Sequence, residues 1–293
     1  MAEINLEKIK KEKSIQELLE FGILNIDKPA NYTSFQAAEI VGKMLGDLGV
    51  KKFSHFGTLD PLVSGVLPVA LNRACKLTGW FMKKNKTYIG VMKIHKQVDE
   101  EKLKEEMKKF IGKIIQLPPV KSRVKREERE RNVYSWDILE FDKEKKEVLF
   151  SCEVEAGTYI RKLISDLGLK IGGAHMTELR RVKAGIFSED DKNFVSLYEL
   201  EKAVEEAKKG KEEKLREIII PAEIISKILP SVQVKESCVS KLLTGKPVFK
   251  QDLTEELKIE EGDVAVFCGD RFVGVYRIAR ENEIVARAEF VFN

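Results

Sequence analysis

The sequence predicts an α+β fold: a mixed, mostly antiparallel sheet with flanking helices, followed by a small C-terminal β-barrel. Three observations predict it. Strand-like segments come as hairpins, as in NVYSWDILEF and EVLFSCEVEA on either side of the polar DKEKK turn, with alternation clear at Val148, Phe150, Cys152 and Val154. Amphipathic helical stretches lie around these strands without the strict strand–helix alternation of a parallel sheet. At Leu229 and Pro230 the texture changes from charged helix to short strands, which marks a second unit.

Residues 1–20 are charged throughout and lack the apolar centre of a signal peptide, so they read as an N-terminal arm of a cytoplasmic protein. GILNID (22–27) is a short apolar strand ending in the turn signal DKPAN. Thr33 or Ser34 then caps a helix whose apolar face is Phe35, Ile40, Val41, Met44 and Leu45. HFGTLDPLVSG (55–65) is a glycine-bearing loop leading into VLPVAL, and KTYIGVMKIH (86–95) is a strand. A helix over 99–110 leads to LPPV (117–120) and to a run from Lys121 to Arg131 with six basic and three acidic residues, which charge alone reads as a solvated connection.

After the hairpin comes a helix over 158–171, and GGAHMTELRRVKAGIF closes the block. Charged helices are expected over 196–208 and 212–227. From Ser231 a short strand, a helix (ESCVSKLLTG) and three further strands make up the barrel. The expected units are the arm 1–20, a large domain 21–229 and a small domain 230–293.

Composition limits the function classes. With 43% hydrophobic and 34% charged residues the chain has the makeup of a soluble globular protein, and its net charge of +4 falls short of the strongly basic signature of many nucleic-acid binders. Four scattered cysteines form no C-x-x-C pair and have no histidine at zinc spacing, so neither a disulfide framework nor a metal site is expected. No apolar run reaches the length of a membrane span.

The chemistry centres on Asp60. Pro61 biases it toward an extended backbone, while Gly57 and Gly65 let the main chain approach a ligand closely. From this loop alone, Asp60 reads either as a rigidly held reactive carboxylate or as an ordinary Asp-Pro turn.

Other segments add weight to the first reading. GILNIDKPANYTS (22–34), HFGTLDPLVSGVLPVA (55–70), KTY (86–88), GTYIRKL (157–163) and GAHMTELRRVKAGIF (173–187) resemble, in order and spacing, the motif series of the TruB and dyskerin family of pseudouridine synthases. The C-terminal unit resembles the PUA RNA-binding domain that follows this catalytic domain. QLPPVKSRVKREERERNVY is similar to the archaeal and eukaryotic dyskerin-type branch, which works inside the box H/ACA ribonucleoprotein. Two positions depart from the family: Asn31 stands where members usually carry glycine, and Phe56 where they carry a smaller residue. Asn tolerates left-handed backbone, so the first turn is expected to survive.

The resemblance implies roles residue by residue. Asp60 matches the catalytic aspartate, Arg161 the arginine paired with it, and Tyr88 the aromatic that stacks on the target base. Tyr159 and Leu179 match further pocket positions, Lys28 and Pro29 the first motif, and Lys241, Lys246 and Lys250 are candidates for gripping the guide RNA. His55 reads equally as a pocket or a structural residue, and His95 and His175 as structural. No metal or organic cofactor is implied, because the reaction is an isomerisation without redox change or hydrolysis.

Implied partners are a box H/ACA guide RNA, an rRNA or tRNA substrate, and the accessory proteins of that particle: a small zinc-binding protein, a β-barrel protein and a kink-turn-binding protein. Competing readings are a stand-alone tRNA T-loop synthase, which usually carries a longer insertion than fits between Pro119 and Tyr134, and a non-catalytic RNA scaffold. From Ser231 to Asn293 nine basic residues face eleven acidic ones, so RNA binding there cannot come from bulk charge.

Overall fold

The structure, a computed structural model, describes residues 4–117 and 125–293. Two short helices, α1 (Leu6–Glu12) and α2 (Ile15–Glu20), open the chain; Asn5 caps the first, and Ser14 with Glu17 forms a capping box on the second. Strand β1 (Gly22–Lys28) is buried along nearly its whole length, which explains its continuous apolar run. Thr33 caps α3 (Ser34–Leu45) through a capping box with Gln36. The buried stripe of α3 is Ala37, Ala38, Val41 and Leu45, whereas Phe35, expected on the apolar face, is 62% exposed. The helix presents its small residues to the sheet, and Phe35 lies to one side of that stripe, near Phe53.

β2 (Phe53–His55), β3 (Ser64–Leu71), α4 (Thr78–Met82), β4 (Lys86–Ile94) and α5 (Glu100–Lys108) follow. Next comes β5 (Gly112–Gln116), a strand the sequence pattern does not single out, paired with the start of β6 (Arg129–Asp142). Residues 129–131, read as part of a solvated connection, are therefore sheet residues, held by backbone pairing with β5. Most of the double-proline segment, and with it the expectation of a short insertion there, lies outside the described residues.

β7 (Glu147–Val154), α6 (Ile160–Ile171), β8 (Ala174–Ala184), β9 (Phe187–Ser188), β10 (Phe194–Ser196), α7 (Leu197–Lys208) and α8 (Glu213–Ile218) continue the chain. The helix expected over 212–227 stops at Ile218, because Ile219–Pro221 becomes β11, antiparallel to Gly22–Leu24 of β1. Three consecutive isoleucines favour a strand, and Pro221 cannot continue a helix.

The large sheet has eleven strands in the order β10-β1-β3-β8-β4-β7-β6-β5, with β11 on β1, β2 on β3 and β9 on β8. Among the described residues only β1–β10 and β3–β8 of this sheet are parallel, so it is mixed and mostly antiparallel as expected. Helices α3 and α7 bury one apolar cluster against β1 and β3, and α5 and α6 another against β4, β7 and β8.

The C-terminal unit is a five-stranded sheet ordered β12 (Ser231–Gln233), β14 (Asp263–Cys268), β15 (Arg271–Glu281), β16 (Ile284–Val291) and β13 (Val248–Phe249), packed around α9 (Glu236–Leu242). A Val234–Leu253 bridge brings its two edges together. It shares a core with the large sheet: Phe21 meets Phe272 at 5.2 Å and Phe292 at 4.3 Å between ring centroids. Trp80 donates to Asp263 at 2.8 Å, and Asn5 and Lys8 both reach Asp270 at 3.1 Å.

Candidate active site

Asp60 sits in the loop between β2 and β3, anchored on both sides by buried apolar residues, Leu59 and Val63. The Val63 amide donates to the Asp60 carbonyl at 3.0 Å, so the Asp-Pro turn is real. It also presents the carboxylate to solvent: Asp60 and Arg161 remain more than half exposed while their side chains meet at 2.7 Å. The loop is thus a turn that also holds a solvent-facing carboxylate against a guanidinium.

Beneath the loop, the first motif acts as a clamp. Lys28, fully buried, donates from Nζ to the carbonyls of Pro29 at 2.7 Å, Tyr32 at 2.6 Å and Pro61 at 3.2 Å. Asn31 adopts φ +70° and donates its amide to the same Pro61 carbonyl at 2.8 Å, so asparagine does preserve the turn where the family usually has glycine. Ser34 Oγ accepts from the Leu59 amide at 2.7 Å. Phe56 turns away from the loop into the core and stacks on Phe81 at 4.6 Å, so its bulk fills an aromatic cluster with Phe187.

Arg181, which the sequence reading passed over, is the largest fully buried side chain. Its Nε donates to the Val66 carbonyl at 2.8 Å and a terminal nitrogen to the Gly57 carbonyl at 3.0 Å, tying β8 to both ends of the Asp60 loop. In the sheet it faces Tyr88 directly, and its guanidinium interacts with the Tyr88 hydroxyl. The available signal was alternation: Leu179 and Arg181 both fall on the inward face of β8, where an arginine is anomalous.

Electrostatics follow from burial. Lys28 and Lys86 are both pushed down to about 8, chiefly by loss of water and secondarily by the charge of Arg181. Burial raises the Tyr88 hydroxyl above its ordinary value, and lowers His55 with help from Arg181. His55 Nδ1 is buried without a hydrogen-bond partner among the described residues. The cations Lys28, Lys86 and Arg181 thus lie beneath the loop that exposes the Asp60 carboxylate.

Tyr88 and Leu179 belong to the same buried cluster as Leu59 and Val63, and Tyr159 immediately precedes α6, which carries Arg161. Asp60, Arg161, Tyr88, Tyr159, Leu179, Lys28 and Pro29 therefore gather around one loop. The three C-terminal lysines stand apart. Lys241 is engaged with the buried Asp252 at 2.7 Å and lies over the Phe249 ring, Lys250 pairs with Glu283 at 3.5 Å, and Lys246 is exposed. His95 and His175 form an exposed pair, ring nitrogens 2.8 Å apart, at the adjoining ends of β4 and β8.

Comparison with known proteins matches this architecture. Residues 46–102 match the N-terminal domain of TruB family pseudouridylate synthases, and residues 161–226 the C-terminal domain of tRNA pseudouridylate synthase B. A probable tRNA pseudouridine synthase B of Methanopyrus kandleri is 41% identical over 260 residues, covering 87% of this chain and 75% of that protein. One from Thermococcus onnurineus is 43% identical over 249 residues, 84% and 73% of the two chains. Among solved structures, a Cbf5–Nop10–Gar1 complex superposes with a TM-score of 0.88 at 36% identity, over 97% of this chain and 88% of that one. An H/ACA ribonucleoprotein bound to a substrate RNA containing 2'-deoxyuridine superposes with a TM-score of 0.86 at 34% identity, over 97% and 89%. The motif series, the Asp60 loop and these likenesses agree: the chain belongs to the TruB family of pseudouridine synthases, on the side of the family represented by the dyskerin-type Cbf5 structures.

Proposed function

We propose that this pseudouridine synthase is the catalytic subunit of an RNA-guided, H/ACA-type particle, with residues 21–229 as its catalytic domain and 230–293 as a PUA domain. The observation that carries this reading is the match to Cbf5 over 97% of the chain, which takes in the C-terminal sheet as well as the catalytic sheet. The relatives called tRNA pseudouridine synthase B support tRNA as a second substrate class, modified with or without a guide.

In this reading the target uridine is extruded from its stack, and the aromatic face of Tyr88 replaces lost stacking worth about 1–3 kcal/mol per base. Asp60 acts as a carboxylate, either as nucleophile at the anomeric carbon of the ribose or as a base on the sugar, with Arg161 holding it at 2.7 Å. Tyr159 and Leu179 shape the pocket, with His55 beside it as a neutral imidazole. Lys28 and the Pro29 carbonyl hold the loop. The base is then turned and rejoined through carbon.

The guide's ACA end falls to the C-terminal unit, where of the three candidate lysines Lys246 and Lys250 are exposed and Lys241 shapes the surface through Asp252. Partners of the Nop10 and Gar1 kind, together with a kink-turn-binding protein, complete the particle. No helix among the described residues is long and apolar enough to cross a membrane, and a cytoplasmic location accords with these partners.

The test is to recover the protein from its host and sequence the bound RNA. Small hairpin RNAs ending in ACA are the expected result; recovery of tRNA alone would move the reading to a stand-alone tRNA enzyme. Because the two sheets share a core, the guide rather than the protein should be altered: changing ACA to UGU is expected to weaken binding by missing base contacts.

A further inference from the structure

Gln116 ends β5 and is 2% exposed, a fully buried primary amide at the edge of an apolar cluster. Its Oε1 accepts from the Tyr159 amide at 2.9 Å, and its Nε2 donates to the Tyr159 carbonyl at 3.3 Å. The side chain thus pairs with both backbone groups of one residue, as a neighbouring strand would. That residue is the N-cap of α6, and α6 has no side-chain cap. The Tyr159 carbonyl also accepts the first helical hydrogen bond, from Leu163 at 3.0 Å. Two residues carry the chain from this clamp to Arg161 and its 2.7 Å contact with Asp60.

We propose that Gln116 is a positioning residue for the isomerisation: by fixing the backbone of Tyr159 it sets the first turn of α6 and so aims Arg161 at the Asp60 carboxylate. A buried amide is costly unless both its ends are satisfied, and here both are spent on the backbone of one residue, two positions before Arg161. Before it, Gly157 has φ +85°, and the hydroxyl of the buried Thr158 has no hydrogen-bond partner among the described residues. Register in the β5–β6 pair, where Gln116 faces Arg129, therefore fixes where Arg161 points.

The inference rests on Asp60 and Arg161 being the working pair, so Asp60→Asn is measured alongside. Gln116→Met keeps the side-chain volume and removes both hydrogen bonds. On an RNA substrate carrying 5-tritiated uridine, its single-turnover rate is expected to fall about 10- to 100-fold while its KM stays within about threefold, as for a small misplacement of a reacting group. In an Arg161→Lys background the same change should cost less than about threefold, since the group being aimed is already altered. Gln116→Glu, which keeps the acceptor for the Tyr159 amide, should lose less rate than Gln116→Met; thermal unfolding of each variant confirms the fold. A wild-type rate in Gln116→Met, a loss confined to KM, a full additional loss on Arg161→Lys, or a greater loss in Gln116→Glu than in Gln116→Met would each overturn the proposal. Substantial turnover by Asp60→Asn would instead overturn the site reading beneath it.

Discussion

Lys28, at the end of β1, donates a hydrogen bond to the carbonyl of Pro61, the residue after Asp60, at 3.2 Å. The ammonium spends all three of its protons on backbone carbonyls of the two loops it joins. The position of the Asp60 carboxylate is therefore tied to the protonation of a buried lysine two strands away in sequence.

Since Lys28 titrates at about 8, a rise in pH through that value removes one donor, and Pro61, the longest of the three contacts, is the first to be released. Turnover is expected to fall above about pH 8 in the wild type. The Lys28→Met variant should be slow throughout and lack that limb. Unfolding does not produce the same limb. The folded pKa of Lys28 lies below its unfolded value of 10.5, so the folded state holds fewer protons between about 8 and 10.5, and this group's contribution to stability rises with pH over that window. A rate profile in Lys28→Met parallel to the wild type would exclude the linkage.

Gly65 and Gly57 differ in a way that denaturation can measure. Both have positive φ, but a Cβ on Gly65 would lie 2.2 Å from the Arg181 carbonyl oxygen, whereas on Gly57 its nearest neighbour is at 3.5 Å. Gly57→Ala is expected to cost about 1–2 kcal/mol from backbone strain alone. Gly65→Ala should cost clearly more, because the β3–β8 contact must open. Equal urea midpoint shifts would contradict this reading of the loop.

Tyr88→Phe keeps the stacking face and loses the hydroxyl that faces Arg181, while Tyr88→Leu loses both. Stacking as the main role makes the phenylalanine variant the faster of the two in single turnover. Equal losses would assign the role to the hydroxyl instead.

The turn at Asp60 and the elements around it were legible in the sequence because local signals carry them, whereas the roles of the residues came from the resemblance. Glycines frame Asp60, Thr33 announces α3, and period-two alternation gives the hairpin its faces. What stayed hidden depends on contacts between segments far apart in the chain. Arg181 is defined by carbonyls of Gly57 and Val66, more than a hundred residues away, and Gln116 by the backbone of Tyr159. Phe35 and the 212–227 helix were misread for the opposite reason: local propensity yielded to tertiary pairing, with small residues of α3 fitting the sheet and Ile219–Pro221 completing β1.

The most direct measurement is tritium release from 5-tritiated uridine in RNA by Asp60→Asn, a nearly isosteric change that removes the charge paired with Arg161 at 2.7 Å. Loss of turnover with RNA affinity and thermal stability close to wild type is the expected result. Turnover near the wild-type rate would contradict the placement of the reaction at this carboxylate.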